Sequence, residues 1–535
     1  MSFLDQARQA LLDARCPAGH WVGELSSSAL STATAVTALR IVRQNGGAAD
    51  EALVAKGVAW LRAHVNADGG FGDTVDSPSN ISTTTLCWAA LGMHERDAVF
   101  DGVEAWLRKA VGTLDAASIA DAISRRYGED RTFSVPILTM CALAGRVPWK
   151  GILRLPFELA ALPSWTYNLL GLRVVSYALP ALIAIGQAQL KHQGSWNPLP
   201  HLARKSTLRL LERIQPASGG FLEAAPLTSF VCMSLAGSGL VESPVVKKAV
   251  DFLSRTARPD GSWPIDTNLA TWVTTLAVNA LGDALPQDAR APILYWLLAQ
   301  QHQAEHPYTR AAPGGWAWTD LSGGVPDADD TPGALLALKA LNGPAEAARA
   351  GVRWLLDLQN RDGGIPTFCR GWGKLPFDRS CPDLTAHALR AWHAWGDVPQ
   401  KAIDRAFQYL RDTQREDGSW VPLWFGNQHH PAQENPVYGT SRVLLCESLL
   451  KDPMWERART WLKVAQHADG GWGSIEETAL AVEATGDARG RAWLEANAGS
   501  WRTSPIGLYF AKLWYSEKLY PIIFTVAALS RGANK

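Results

Sequence analysis

The chain has 535 residues, enough for two or more domains with cores of their own. Its 51 Lys and Arg balance 51 Asp and Glu, so the net charge is zero and an electrostatic nucleic-acid role is excluded. Seven scattered cysteines without a CxxC pair, a start without signal-peptide character and no stretch long enough to span a bilayer predict a cytosolic protein. Tryptophan is the outlier: 24 indoles are costly to bury, because each N–H needs a partner.

Many of them fall in a repeat. An amphipathic helix ends, a polar turn follows, then two small residues and an aromatic or apolar residue; the copies close at Trp21, Phe71, Phe221, Trp263, Trp316, Ile365, Trp420 and Trp472. Gln215, Gln359, Gln414 and Gln466 each stand six residues before the closing position. The glycines permit a tight turn, and the Gln amide can bond the start of the next helix while the aromatic stacks on it. These are read as structural staples. Between them lie apolar helical runs at 174–186 (broken by Pro180), 271–281, 333–341 and 384–392. The first is too short to cross a membrane and is read as a buried helix pair. Strand-like alternation is nearly absent, so the predicted fold is all-α: helical hairpins closing into (α/α) barrels, with about eight repeats favouring two barrels.

The segment 313–331 (PGGWAWTDLSGGVPDADDT) carries the chemistry. Asp327, Asp329 and Asp330 lie within four residues, and carboxylates this close cannot all ionise cheaply, so one holds its proton near neutral pH. Such an acid beside the indoles of Trp316 and Trp318 suits protonation of an alkene, with aromatic faces stabilising the resulting cation. The same residues also fit two plainer roles, an N-cap by Asp329 or Asp330 for the helix that Thr331 and Pro332 begin, or a solvated, cation-binding loop.

The repeats resemble the QW motifs of squalene-hopene and oxidosqualene cyclases, and Asp327-Ala328-Asp329-Asp330-Thr331 resembles their DxDD(T) acid motif in the same setting. The resemblance extends over nearly the whole chain. Asp383-Leu384-Thr385-Ala386-His387 is similar to the family's DVTAH stretch; Ser419–Trp424 with Val437-Tyr438-Gly439-Thr440 is similar to its GSWxxxW and YGT segments. Thr271–Thr274 resembles its W-x-T helix, and 504–521 its last cavity-lining segment. The resemblance implies two (α/α) barrels, the second inserted into the first: residues 1–21 plus 268–535 as the catalytic barrel, 22–267 as the insert, with the cavity between them. It implies Asp329 as the acid; His387, if cationic, as its hydrogen-bond donor; Asp327 and Asp330 as charge-balancing partners; Tyr438 as a proton relay; and Asp383, in the stretch that carries His387, as a further catalytic candidate. Trp272, Trp318, Trp424 and Tyr515, with Trp316 beside them, are implied as the aromatic lining, and no metal or organic cofactor is needed. The implied partner is a linear isoprenoid such as squalene, with peripheral contact at the inner face of the membrane and a homodimer as further expectations.

The chain departs from that pattern in ways that keep other readings open. It is markedly shorter, mostly around 192–205 and 473–500; the first region is where the family dips a helix into the membrane. Lys512 falls where the family has a cavity tyrosine, and Gly171 where it has a tryptophan. An ammonium near a carbocation is harmful, so Lys512 either points away or serves a different substrate. The related class II diterpene and sesquiterpene cyclases bind a prenyl diphosphate with magnesium; Arg125, Arg126, Arg131 and Lys512, with Glu129 and Asp130 toward the metal, are the candidates for that role. A non-catalytic isoprenoid-binding barrel, an (α/α) glycosidase with an open polar cleft and a zinc site of Cys381, Asp383 and His387 complete the alternatives.

Overall fold

The computed structural model describes residues 2–127, 134–163, 166, 178–307, 309–369, 378–508 and 512–531. Gly171, Glu129, Asp130, Arg131 and the first four residues of the 174–186 run lie outside them.

Helices pack into two closed rings. In the first, Ala29–Gln44, Ile81–Leu91, Ser134–Leu143, Leu179–Gln193 and Ala225–Gly237 touch in turn and the last returns to the first. In the second, Ala270–Leu281, Asp330–Ala340, Pro382–Trp395, Pro436–Leu444, Ile475–Thr485 and Tyr520–Arg531 do the same. Inner helices are apolar on nearly every side, as Leu86 to Leu91 show, because they are covered by neighbours in the ring and by an outer helix. Outer helices such as Gln400–Thr413 bury one stripe, Ala402, Ala406, Phe407, Tyr409 and Leu410, and leave the opposite side to solvent. Strand is confined among the described residues to three two-residue or three-residue antiparallel pairs. One of them, Ser27–Ser28 against Trp263–Pro264, ties together the two places where the chain passes between rings.

The repeats are stapled by three recurring bonds. The closing indole N–H caps the carbonyl end of the preceding outer helix: Trp21 to Leu11 O, Trp263 to Leu253 O, Trp420 to Leu410 O and Trp472 to Leu462 O, at 2.7–2.8 Å. The Gln amide bonds the glycine turn and the next outer helix, as Gln359 Nε2 does to Gly363 O (2.8 Å) and Ala402 O (2.9 Å). Gln301, which its longer loop hides in the sequence, makes the same pair of bonds to Gly314 O and Ala347 O. Finally, the backbone N–H of the closing residue donates to a threonine on an inner helix: Trp21 to Thr274, Phe71 to Thr84, Phe221 to Thr228, Trp263 to Thr32, Trp316 to Thr331, Ile365 to Thr385, Trp420 to Thr440 and Trp472 to Thr478. The turn glycine is obligatory at Gly363, whose φ is +95° and whose added Cβ would sit 2.2 Å from Arg405 O.

Each staple satisfies a buried carbonyl, so its loss has a definite cost. Trp420→Phe leaves Leu410 O with only the long bond from Thr413 Oγ1 (3.5 Å) and is expected to lower stability by about 1–3 kcal/mol while the folded protein keeps its activity. The fall in the denaturant midpoint measures this; an unchanged midpoint would reduce the staple to packing.

Candidate active site

Between the rings lies a cavity of about 280 Å³. Leu86, Ile137, Ala181 and Phe230 approach it from the first ring, and Trp272, Asp329, Leu384 and Tyr520 from the second. Its wall is overwhelmingly apolar, unlike the open polar cleft that a glycosidase requires.

The three aspartates divide their work through backbone geometry. Thr331 accepts from Trp316 N (3.0 Å), fixing how the chain enters the helix Asp330–Ala340. Asp327 Oδ1 then accepts from Asp329 N (2.9 Å) and Asp330 N (2.8 Å). The capping role expected of Asp329 or Asp330 therefore falls to Asp327, and the Asp329 side chain makes no cap bond. It turns instead to His387, whose Nδ1 lies 2.7 Å from Asp329 Oδ1. Asp327 and Asp330 interact with each other: burial pushes Asp327 up to about 6 and, with the neighbouring negative charge, carries Asp330 well above the carboxylate range. The pair thus retains a proton at neutral pH.

Burial also pushes Asp329 up to about 6, against the opposing pull of the Arg442 guanidinium. His387 departs from the cationic form considered from sequence. Burial, then the charges of Arg442 and Arg390, hold its imidazole well below its ordinary value, so it is neutral. The positive charge beside the acid belongs to Arg442, a buried residue that also faces Tyr438, Glu483 and Asp383. Two guanidinium charges near His387 disfavour a third, so burial and these charges together oppose the cationic imidazole beside Asp329.

Asp383 and His387 are one turn apart on the helix Pro382–Trp395 and face the same way. Asp383 accepts from Cys381 Sγ (2.7 Å) and is pushed up to about 6 by burial. Because Cys381 serves Asp383 while His387 serves Asp329, the zinc constellation does not assemble. Among the described residues, no group of three or more His, Cys, Asp or Glu could hold a metal ion. Tyr438 is buried, within electrostatic reach of Asp329 and Asp383, with its ring 4.8 Å from that of Phe425. Tyr438 also borders a small side cavity of about 20 Å³ with Glu476 and Glu477; burial pushes Glu476 up to about 7.

Trp272, Trp318, Trp424 and Tyr515 all line the main cavity. Trp272 presents its edge to His387 (6.3 Å) and donates to Tyr520 Oη (3.0 Å), and Tyr520 in turn meets Tyr515 Oη at 3.0 Å. Phe368 bridges Trp318 (5.9 Å) and Trp424 (6.3 Å), making a continuous aromatic wall. Trp316 does not belong to it. It is fully buried and bonds Leu297 O at 2.9 Å, the staple position of its repeat; residues two apart point to opposite sides here.

Lys512 is not on the cavity wall. Its Nζ donates to Arg126 O and lies over the Tyr127 ring (5.9 Å), while Arg126 lies over the same ring at 5.6 Å. Burial and the Arg126 charge lower the Lys512 pKa. Arg125 is exposed and paired with Asp121. Sequence reasoning missed Arg442, Phe368, Tyr520 and Asp266. The first had a signal, since it lies one helical turn after Tyr438.

Two family models match the chain: the squalene-hopene cyclase N-terminal domain over residues 4–178 and the C-terminal domain over residues 269–501. The squalene hopane cyclase of Aspergillus fumigatus is 26% identical over 85% of this chain and 75% of its own length. The probable squalene–hopene cyclase of Sinorhizobium fredii is 25% identical over 87% and 81%. Enfumafungin synthase of Hormonema carpetanum is 26% identical over 88% of this chain, which spans only 42% of that protein. In fold, the chain is similar to ent-copalyl diphosphate synthase from Streptomyces platensis, with a TM-score of 0.56, 20% identity and 99% of both chains covered.

Proposed function

Because the chain belongs to the squalene-hopene cyclase family of class II terpene cyclases, we propose that it converts a linear polyprene such as squalene into a cyclic product, with Asp329 as the initiating acid. The observation that carries this reading is the Asp329–His387 contact opening into an apolar cavity walled by aromatic rings. Asp329 donates its proton to a terminal alkene carbon; the π electrons of successive alkenes then close C–C bonds. Trp272, Trp318, Phe368, Trp424 and Tyr515 present electron-rich faces that stabilise the migrating cation without bonding to it. The dry wall excludes water and holds the chain folded for ring closure. Tyr438 and the Glu476 side cavity, large enough for about one water, form the route by which Asp329 regains its proton. The proton and the cation stabilisation both come from the chain itself.

In this reading residues 1–21 and 268–535 form the catalytic barrel and 22–267 the insert. No helix among the described residues is long and apolar enough to cross a membrane. Trp196, Leu199 and Leu202 are nonetheless strongly exposed, and we assign that face to contact with the bilayer from which an apolar substrate is drawn.

One observation favours a second reading, cyclisation of a prenyl diphosphate. Arg126 and Lys512 converge beside Tyr127, which lines the cavity, and a diphosphate needs such paired cations. Incubation with squalene, and separately with geranylgeranyl diphosphate and magnesium, tests both by mass spectrometry of the extracted products after phosphatase treatment. A cyclic isomer from squalene is the expected result. Product from the diphosphate alone, lost in Lys512→Ala, would replace the first reading by the second; silence from both would reject the cyclase assignment.

A further inference from the structure

We propose that Asp266 is the base that ends the reaction by taking a proton from the last carbocation, an assignment that rests on the cyclase reading above. Asp266 is a carboxyl on the cavity wall carried by the segment before the helix Ala270–Leu281, not by the acid motif. The charge that acts on it is that of Glu223, not Asp329, whereas Tyr515 feels both Asp266 and Asp329. Proton donor and acceptor thus line one cavity from different segments of the chain, and Tyr515 on the same wall is within electrostatic reach of both.

Its backbone is held firmly on both flanks. Ala225 N donates to Ile265 O (3.1 Å), and Thr267 donates to Glu223 O through both N (3.0 Å) and Oγ1 (3.1 Å). Ala224 and Asp266 face each other as a β-bridge, and both line the cavity. Leu222 and Glu223, both with left-handed φ near +55°, turn the chain so that Glu223 reaches Gly323 N (2.7 Å) and Ser218 Oγ (2.6 Å). Glu223 is therefore held through Oε1, while its Oε2 is buried without a partner among the described residues. Asp266 is not held in this way: among the described residues none donates a hydrogen bond to its carboxyl.

The fold has no use for a carboxyl at this place. Asp266 stands three residues after the closing Trp263. The same position in two other repeats holds Ala224, after Phe221, and Phe368, after Ile365, and both also line the cavity. Where the architecture accepts an apolar residue, this chain places a half-buried, unpaired acid on the wall of the cation path. Burial and Glu223 push its carboxyl up to about 7, so a basic form is present at neutral pH.

The step balances. A C–H bond next to the cationic carbon breaks, its proton goes to an Asp266 oxygen, and its electron pair becomes a new C=C bond. One proton leaves Asp329 and one arrives at Asp266, so product and substrate are isomers. The acid is later recharged and the base discharged by exchange with solvent.

The test compares the wild type, Asp266→Asn and Asp266→Glu on squalene, and on geranylgeranyl diphosphate with magnesium, with products identified by mass spectrometry and NMR and folding checked by thermal melting. The amide is isosteric and breaks no hydrogen bond. Asp266→Asn is expected to go on consuming substrate, but the wild-type cyclic alkene falls at least tenfold. Alcohols from water capture, or alkenes deprotonated at other carbons, take its place, and Asp266→Glu recovers part of the native product. The assignment is overturned if Asp266→Asn yields the native alkene at the native rate, if a folded variant consumes no substrate, or if the wild-type product is an alcohol. A wild type silent on both substrates removes the cyclase reading and this assignment with it. An active wild type with an unaffected variant removes this assignment alone.

Discussion

Asp329→Asn will abolish cyclisation and, above about pH 6, will make the protein more stable. The amide keeps the shape of the side chain and a hydrogen bond to His387 but has no proton acidic enough for an alkene. General acids commonly contribute roughly 10²–10⁴-fold, and the acid that starts a cationic cascade belongs at the upper end. The stability effect follows from linkage. The folded-state pKa is about 6 against an ordinary 3.8, so the folded protein binds this proton more tightly than the unfolded chain does. The resulting stability is complete at low pH and is lost as pH rises through 6. At pH 8 the ionised carboxylate opposes folding by up to about 3 kcal/mol, a penalty that Asn does not carry. Thermal midpoints of the two proteins should therefore coincide toward pH 4, separate as pH rises to about 6 and stay apart by a constant margin above it. Normal turnover by the variant would remove Asp329 from its role; equal midpoints at pH 8 would mean that folding does not raise the pKa of this carboxyl.

The second large effect is expected at Arg442. Its guanidinium lowers the Asp329 pKa and disfavours charge on His387. Arg442→Gln removes that pull, so Asp329 becomes a weaker acid. Turnover should fall by about 10–100-fold, roughly 1.4–2.8 kcal/mol of barrier. The upper limb of the pH–rate profile, set by loss of the Asp329 proton, should move to higher pH. Arg442→Lys keeps the charge and should recover much of the activity. A limb that stays in place, or moves down, would assign Arg442 to packing alone.

Much of this site was legible because it is written at short range. Three aspartates in four residues predict a retained proton whatever the fold, and Gln, glycines and Trp at fixed spacing predict the staples. What sequence could not supply depends on geometry between segments. Which aspartate caps the helix turns on one backbone entry angle, so Asp327 took a role that composition would give equally to Asp329 or Asp330. Trp316 and Trp318 are indistinguishable by type, yet a two-residue offset puts one in the packing and one in the cavity. The charge state of His387 rests on Arg442, delivered from a different helix. Gln301 was hidden because its loop is longer than those of its counterparts.

The threonine that receives each closing N–H is also a ruler. Count back two residues from it in every repeat: Leu30, Ser82, Pro226, Trp272, Asp329, Asp383, Tyr438, Glu476. The first five line the main cavity, Tyr438 and Glu476 line the side cavity, and Asp383 is buried one helical turn from His387. Asp329, Trp272, Tyr438 and Glu476 are thus settings of one address, copied with the repeat and filled independently. The bond that fixes the address lies outside the side chain that occupies it, so new chemistry can be installed there by a single substitution without renegotiating the scaffold.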